Sequence, residues 1–240
     1  MTDRIKKTEL FLREKLWEAN PYYDQHPEMR PYRLEHTFRV ARTGAAIARA
    51  EGMDEEAMTI ACLLHDVSYC LPLLDQESWQ DHGRLSARIA RPFLEDLGLE
   101  RAAVQEICYG IAIHVDDRAD FPGERTPFAL TVGDADNIDR FDAYRLYETL
   151  ETSGFRKMNL GEKRGHVERT SLRLEKFLDT PFATEAATAM WRDRVGFYLD
   201  FYRRLDQQLA ASAGLFEEPP ASPGPERWEN SLRLGLSGRF

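Results

Sequence analysis

The sequence predicts an all-α protein, and three observations carry this prediction. Apolar residues recur at steps of three and four over most of the chain, which is the periodicity of helices with one buried face. Runs that alternate polar and apolar residues, the pattern of strands, are scarce. Clusters of proline and glycine separate the periodic stretches, as expected of loops that join helices. We therefore expect a helical bundle.

The periodicity places nine helices along the chain. They are predicted at 2–18, 34–51, 54–66, 79–96, 101–114, 127–139, 143–152, 161–178 and 184–211. Asp54, followed by two glutamates, is typical of an N-cap with an acidic first turn. The stretches "NPYYDQHPEMRPY" and "DDRADFPGERTP" carry the prolines and glycines of loops.

The helices are predicted to form one domain over residues 1–216, followed by a tail. With 240 residues, 42% of them hydrophobic, the chain is long enough to bury a sizeable core. Residues 217–240, "EEPPASPGPERWENSLRLGLSGRF", are rich in proline, glycine and serine. This composition predicts an irregular C-terminal tail, either mobile or strapped across the surface.

Composition also limits the classes of partner. Acidic residues outnumber basic ones by 41 to 32, and no long Lys/Arg tract is present, so nucleic acid is not expected as a partner. No run approaches the roughly 18 apolar residues of a membrane span, so no membrane association is expected. Three widely spaced cysteines indicate reduced core thiols. A soluble cytoplasmic protein is the expectation.

The last predicted helix carries an apolar seam. Its members recur at alternating steps of four and three: Trp191, Val195, Tyr198, Tyr202, Leu205 and Leu209. Packing on the protein's own core is the preferred interpretation, because it explains most amphipathic helices. The same spacing also fits a homodimer interface.

The stretch "TIACLLHDVSYC" raises the question of function. His65 and Asp66 stand together at the end of an apolar run. Burying both groups is unfavourable unless a partner satisfies them, and a metal ion is one of the few partners that satisfies an imidazole and a carboxylate together.

The other histidines extend this pattern. Four of the six lie on the apolar stripes of their helices, as does one distant aspartate: His36, His65, His82, His114 and Asp136. Each alone is most simply a core residue bonded to a carbonyl. Together they lack matching inward cations, so metal ions are the simplest compensation. His26 and His166 are interpreted as surface residues.

The order of these residues resembles a known family. The segments "LEHTFRVARTGAAIARAEGMDEEAMTIACLLHDVS", "DHGRLSARIA", "GIAIHVDD" and "VGDADNIDRFD" are similar to the HD-domain superfamily of metal-dependent phosphohydrolases. The resemblance covers residues 33–142. It implies an HD-type helical bundle with additional C-terminal helices.

The resemblance also assigns roles to individual residues. It implies that one metal is held by His36, His65, Asp66 and Asp136. It further implies that His82 and His114 match the extra histidines of binuclear members, in which Asp66 bridges two ions. Asp134 is an alternative to Asp136 as the last metal ligand in chain order, but the short "AD" signature and the helix face favour Asp136.

The implied activity is phosphoester hydrolysis by metal-activated hydroxide, with Asp66 and Arg39 as catalytic residues. The substrate class is a small phosphorylated metabolite, with a nucleotide favoured. Mixed His and carboxylate ligation suits one or two ions of Mn, Fe, Co, Ni or Zn. Candidate phosphate contacts are Arg39, Arg140 and Lys157.

Two alternatives use the same ligands. Some HD relatives, resembling inositol oxygenases, use a di-iron pair to cleave a carbon bond with dioxygen, and the six-residue pattern fits them too. A non-catalytic sensor with structural metals is the third hypothesis.

Overall fold

The computed structural model describes residues 2–72, 80–117 and 120–213, and within them it contains ten α-helices and no strand. The predicted all-α fold is confirmed. The helices are α1 (Asp3–Leu16), α2 (Pro21–Gln25), α3 (Met29–Glu51), α4 (Glu55–Leu64), α5 (His82–Asp96), α6 (Arg101–Ile113), α7 (Pro127–Asp139), α8 (Ala143–Thr152), α9 (Leu160–Phe177) and α10 (Glu185–Ala211). Two 3-10 turns span Val67–Cys70 and Phe155–Lys157. The predicted tail, residues 217–240, lies outside the described residues.

The segment predicted as a loop at residues 20–32 is instead largely helical. Asn20 caps α2 by accepting a hydrogen bond from the Tyr22 N–H, and Pro21 occupies the first helical position, where a missing N–H costs nothing. The long helix α3 begins at Met29, so Pro31 falls in its first turn. Pro21 and Pro31 mark helix starts, so reading these two as loop residues was wrong, whereas Pro27 lies in the turn between the helices.

Within the described residues, the first compact unit comprises 2–72, 80–117, 120–139 and 182–187. Its centre is α4, which packs against α1, α3, α5, α6 and α7. The side chains of Met58, Ile60, Cys62 and Leu64 on α4 have no exposed surface. The helix α4 ends at Leu64, directly before His65 and Asp66, which are also buried.

The second compact unit comprises residues 140–181 and 188–213 of the described chain. Its core is aromatic. Phe141 packs edge-on against Trp191, with ring centroids 4.7 Å apart, and the indole N–H of Trp191 donates to the Phe177 carbonyl at 2.6 Å. The seam residues Trp191, Val195, Tyr198 and Tyr202 are all buried. A single domain over residues 1–216 and a homodimer both stay predictions.

No helix in the described part of the chain is long and apolar enough to span a bilayer.

Candidate metal centre

Six predicted ligand residues lie in the first unit, most of them at or near helix ends. His36 lies in the middle of α3, His65 and Asp66 directly follow α4, and His82 is the first residue of α5. The other two are His114, which directly follows α6, and Asp136 on α7. All six side chains are at least nine-tenths buried.

Asp66 lies at the centre of this cluster. Its Oδ2 is 3.6 Å from His36 Nε2 and 3.5 Å from His65 Nε2. Its Oδ1 is 3.3 Å from His82 Nε2 and 3.6 Å from His114 Nε2. Each carboxylate oxygen therefore faces its own pair of imidazoles.

Asp136 faces one of these pairs. Its Oδ1 is 3.2 Å from His36 Nε2 and 3.8 Å from His65 Nε2. The Nε2 atoms of His82 and His114 are 3.1 Å apart. Within the described residues, three groups have ligand atoms within 4.8 Å of one another: His36–His65–Asp66, His65–His114–Asp136 and Asp66–His82–His114.

The backbone fixes the tautomers of two imidazoles. His65 Nδ1 is 2.7 Å from the Cys62 carbonyl, and His114 Nδ1 is 2.7 Å from the Ile111 carbonyl. A carbonyl only accepts, so Nδ1 carries the proton in both rings. The lone pair of each ring is then on Nε2, the atom that faces Asp66.

The cluster fits a divalent ion. His65 Nε2 is fully buried and has no hydrogen-bond partner within the described ranges, although its lone pair needs one. The chemistry of the donor set, imidazole nitrogens mixed with carboxylate oxygens, suits a transition metal. A bound ion would satisfy the His65 lone pair and the crowded carboxylate oxygens together.

The protonation states of His65 and Asp66 agree with metal ligation. Burial lowers the pKa of His65 to about 4, so this ring is neutral near pH 7. Burial opposes ionisation of Asp66, but its polar neighbours, among them the permanently charged Arg33 guanidinium, outweigh burial and hold the pKa of this carboxyl well below its usual range. For His36, burial lowers the pKa, yet hydrogen bonds to Asp136 and Asp139 raise it overall.

A buried hydroxyl chain connects the two sides of the cluster. Ser68 Oγ donates to the His82 carbonyl at 2.9 Å, and Ser86 Oγ donates to Ser68 Oγ at 2.9 Å. The Ser68 N–H donates to Ser86 Oγ at 3.1 Å. These bonds fix the turn after Asp66 against the start of α5, and so fix Asp66 relative to His82.

Two residues of this centre were not predicted from the sequence. Asp139 Oδ2 lies 2.8 Å from His36 Nδ1, so this carboxylate orients the ring. Arg33 Nη1 donates to Asp66 Oδ2. Both stand three residues from a predicted ligand on the same helix, and this spacing was the available signal.

The predicted phosphate contacts fall in different places. Arg39 Nε donates to Asp139 Oδ1 at 2.8 Å and Arg39 Nη2 donates to Asp139 Oδ2 at 3.2 Å, so Arg39 supports the carboxylate that orients His36. Arg140 and Lys157 belong to the second unit. The substrate contacts of all three residues stay predictions.

The structure also places two residues that the sequence had set aside as ligands. Asp134 is fully buried and accepts a hydrogen bond from the Ala183 N–H at 2.8 Å. His166 was interpreted as a surface residue, but it is half-buried beside Phe155 and Tyr202, and burial lowers its pKa. The charged residues before His166 suggested a surface position, and its aromatic neighbours could not be inferred because they are distant in sequence.

The fold and the cluster define the class: an all-α protein with a buried His/Asp site that can hold divalent metal. Comparison with known families is more specific, since residues 33–143 match the family described as "HD domain". The predicted resemblance to the HD-domain superfamily is confirmed over this region of the chain.

A solved structure shows the same fold over most of the chain. It is the crystal structure of a predicted HD superfamily hydrolase from an uncultured Thermotogales bacterium, with 22% sequence identity and a TM-score of 0.58. The match covers 85% of this chain and 91% of that chain. A search of curated proteins found no significant match.

Proposed function

We propose that this protein is a metal-dependent phosphohydrolase that acts on a small phosphorylated metabolite, with nucleotides as the favoured class. The observation that carries the proposal is the placement of Asp66, whose two oxygens face two separate pairs of imidazoles. The match of residues 33–143 to the HD domain supports it, and so does the likeness to the Thermotogales protein, which is described as a predicted hydrolase.

Two sets of ligands are proposed. His36, His65, Asp66 and Asp136 would hold the first ion, and Asp66 with His82 and His114 would hold the second. Candidate ions are Mn, Fe, Co, Ni and Zn. When bound, such ions lower the pKa of a coordinated water and neutralise the oxygens of a phosphoryl group.

The residues of the chain provide the rest of the mechanism. Backbone carbonyls hold His65 and His114 with Nε2 directed at Asp66. Asp139 holds His36 in the same way, and Arg39 holds Asp139. Because these contacts are buried and mutually supporting, the donor atoms are positioned before any ion or substrate binds.

A panel of phosphate esters tests the proposal. Protein purified without added metal is analysed for bound metal, then loaded with Mn²⁺ and screened for phosphate release from nucleoside mono-, di- and triphosphates and sugar phosphates. The proposal expects release from at least one ester, and expects a chelator to abolish it. Retained metal without release from any ester would contradict it.

The same preparation tests the rival chemistry. The His/Asp pattern also fits a di-iron oxygenase, which would consume oxygen in an iron-dependent reaction and release no phosphate. Oxygen uptake by the Fe²⁺-loaded protein, measured with an oxygen electrode, would favour that alternative. A metal-loaded protein inactive in both assays would favour the sensor.

A further inference from the structure

Arg33 brings a permanent positive charge into the buried cluster. Its Nη1 donates to Asp66 Oδ2, the oxygen that also faces His36 and His65. The Arg33 side chain is 15% exposed and that of Asp66 is 5% exposed. A guanidinium therefore lies beside the proposed ligand atoms, in a largely buried position.

An aromatic ring holds Arg33 in this position. The centre of the guanidinium lies 3.6 Å from the centroid of the Tyr69 ring, a close cation–π contact. Tyr69 also packs beside His82, with ring centroids 5.3 Å apart. Because Tyr69 fixes the plane of the guanidinium, Arg33 does not depend on Asp66 alone for its place.

The charges of the cluster change sign when a metal binds. In the described part of the centre, the carboxylates of Asp66, Asp136 and Asp139 face the guanidiniums of Arg33 and Arg39. With the imidazoles left out of the count, this set carries a formal charge of minus one. One divalent ion would make it plus one, and Asp66 would then be one of the residues that hold the ion. Arg33 then needs a new anion, because an unpaired buried charge is costly.

We infer that Arg33 binds the phosphoryl group of the substrate, and that its pairing with Asp66 belongs to the metal-free state. This inference rests on the proposed function and identifies a residue that binds the phosphoryl group of the substrate. Arg33 is not one of the phosphate contacts predicted from the sequence. Of those, Arg39 is paired with Asp139. An arginine fork suits phosphate because it offers two parallel N–H donors.

Phosphate binding tests the inference directly. Inorganic phosphate is titrated into Mn²⁺-loaded protein by calorimetry, with wild type, Arg33→Gln and the control Arg49→Gln. Arg49 lies on α3, the same helix as Arg33, where it is well exposed and pairs with Glu55 at the start of α4. Loss of one charge-assisted contact should weaken phosphate binding by about tenfold or more in Arg33→Gln, and the control should match wild type.

Metal affinity separates this role from a structural one. Removing Arg33 frees Asp66, so Arg33→Gln should bind Mn²⁺ as tightly as wild type or more tightly. Unchanged phosphate affinity, or a loss of Mn²⁺ binding, would overturn the inference. If Arg33→Gln does not fold, Arg33→Lys decides: it keeps the charge but loses the fork, and phosphate affinity equal to wild type would overturn the inference.

The two proposals fail in different ways. Arg33-dependent phosphate binding by a protein that hydrolyses no phosphoester would contradict the proposed function and leave the role of Arg33 standing. Hydrolysis with an unchanged KM in Arg33→Gln would contradict the role of Arg33 and leave the proposed function standing.

Discussion

Asp66 is the residue on which both proposed metal sites depend. Asp66→Ala removes an oxygen from each imidazole pair, so we expect Mn²⁺ affinity to fall by more than the roughly 100-fold typical of losing an outer contact. Phosphate release should disappear with it. Metal analysis after dialysis and the ester assay measure the two effects. His26→Ala, at an exposed position, should match wild type. Unchanged metal content in Asp66→Ala would reject the site.

Asp139 tests whether the cluster depends on an orienting carboxylate. Asp139→Asn keeps the shape of the side chain but weakens the contact with His36 Nδ1 at 2.8 Å and the pair with Arg39. We expect Mn²⁺ affinity to fall about 10- to 100-fold while the fold is retained. Competition with a metal indicator dye measures the affinity. Asp200→Asn, at an exposed position on α10, is the control. Equal affinities would show that His36 needs no orienting partner.

The sequence singled out the histidines of this cluster, but it did not single out Asp139 and Arg33, which contact the cluster. An inward histidine is recognisable because it interrupts an apolar stripe, and His36, His65, His82 and His114 do so. Asp139 and Arg33 do not stand out in this way. Asp139 is the last residue of a predicted helix and Arg33 directly precedes another, and only the packing of α3 against α7 brings Asp139 to His36.

At the scale of elements, the approach of α5 to α6 determines where His82 and His114 meet. Gly83 lies at the closest point: a Cβ there would be 2.8 Å from the Ala112 carbonyl oxygen and 2.9 Å from that of Ile111. Both contacts are to backbone, which cannot rotate away. The absence of a side chain at Gly83 therefore permits the His82–His114 separation of 3.1 Å.

Gly83→Ala tests this close approach. The added methyl group should force α5 from α6, destabilising the protein by about 1–3 kcal/mol and weakening Mn²⁺ binding because His82 moves. Gly196→Ala is the matched control, since that helical glycine has nothing within 4 Å of its missing Cβ. It should stabilise the protein by about 0.5–1 kcal/mol. Urea denaturation measures both; the same sign for the two variants would contradict this explanation.

Helix starts were harder to predict than helix positions. The helices α7 and α8 begin and end where periodicity placed them, because caps and loop residues bracket a single apolar stripe. The helix α2 and the first turns of α3 were missed because Pro21 and Pro31 are as common in loops as in the first turns of helices. The contact of the Asn20 amide with the Cys70 carbonyl at 3.2 Å, which holds α2 in place, joins residues too distant for local pattern to show.

At the scale of the whole molecule, function and fold were predictable over different lengths of the chain. The match to the HD family, residues 33–143, includes all six proposed ligands. Beyond it, periodicity predicted the helices of the second unit but gave no role for them. A helix needs only one repeating stripe to be recognised, whereas a site needs residues from several helices in a known order.

The proposed ions would join five separate segments of the first unit, and folding should therefore be linked to metal. The six ligands lie on α3, after α4, on α5, after α6 and on α7. An unfolded chain cannot present them together. At a free Mn²⁺ concentration about 100 times its Kd, the folded state should gain about 2.7 kcal/mol, which corresponds to a rise in Tm of roughly 5–10 °C.

Differential scanning calorimetry with and without a chelator measures this shift. Asp66→Ala should show no shift, because it lacks the oxygens shared by both imidazole pairs, and Arg49→Gln should shift like wild type. An equal shift in Asp66→Ala would mean that Mn²⁺ stabilises the protein elsewhere. The size of the shift also separates the models of the site: if metal binds only the His36–His65–Asp66–Asp136 set, His82→Ala retains the full shift, whereas with two ions it loses part of it.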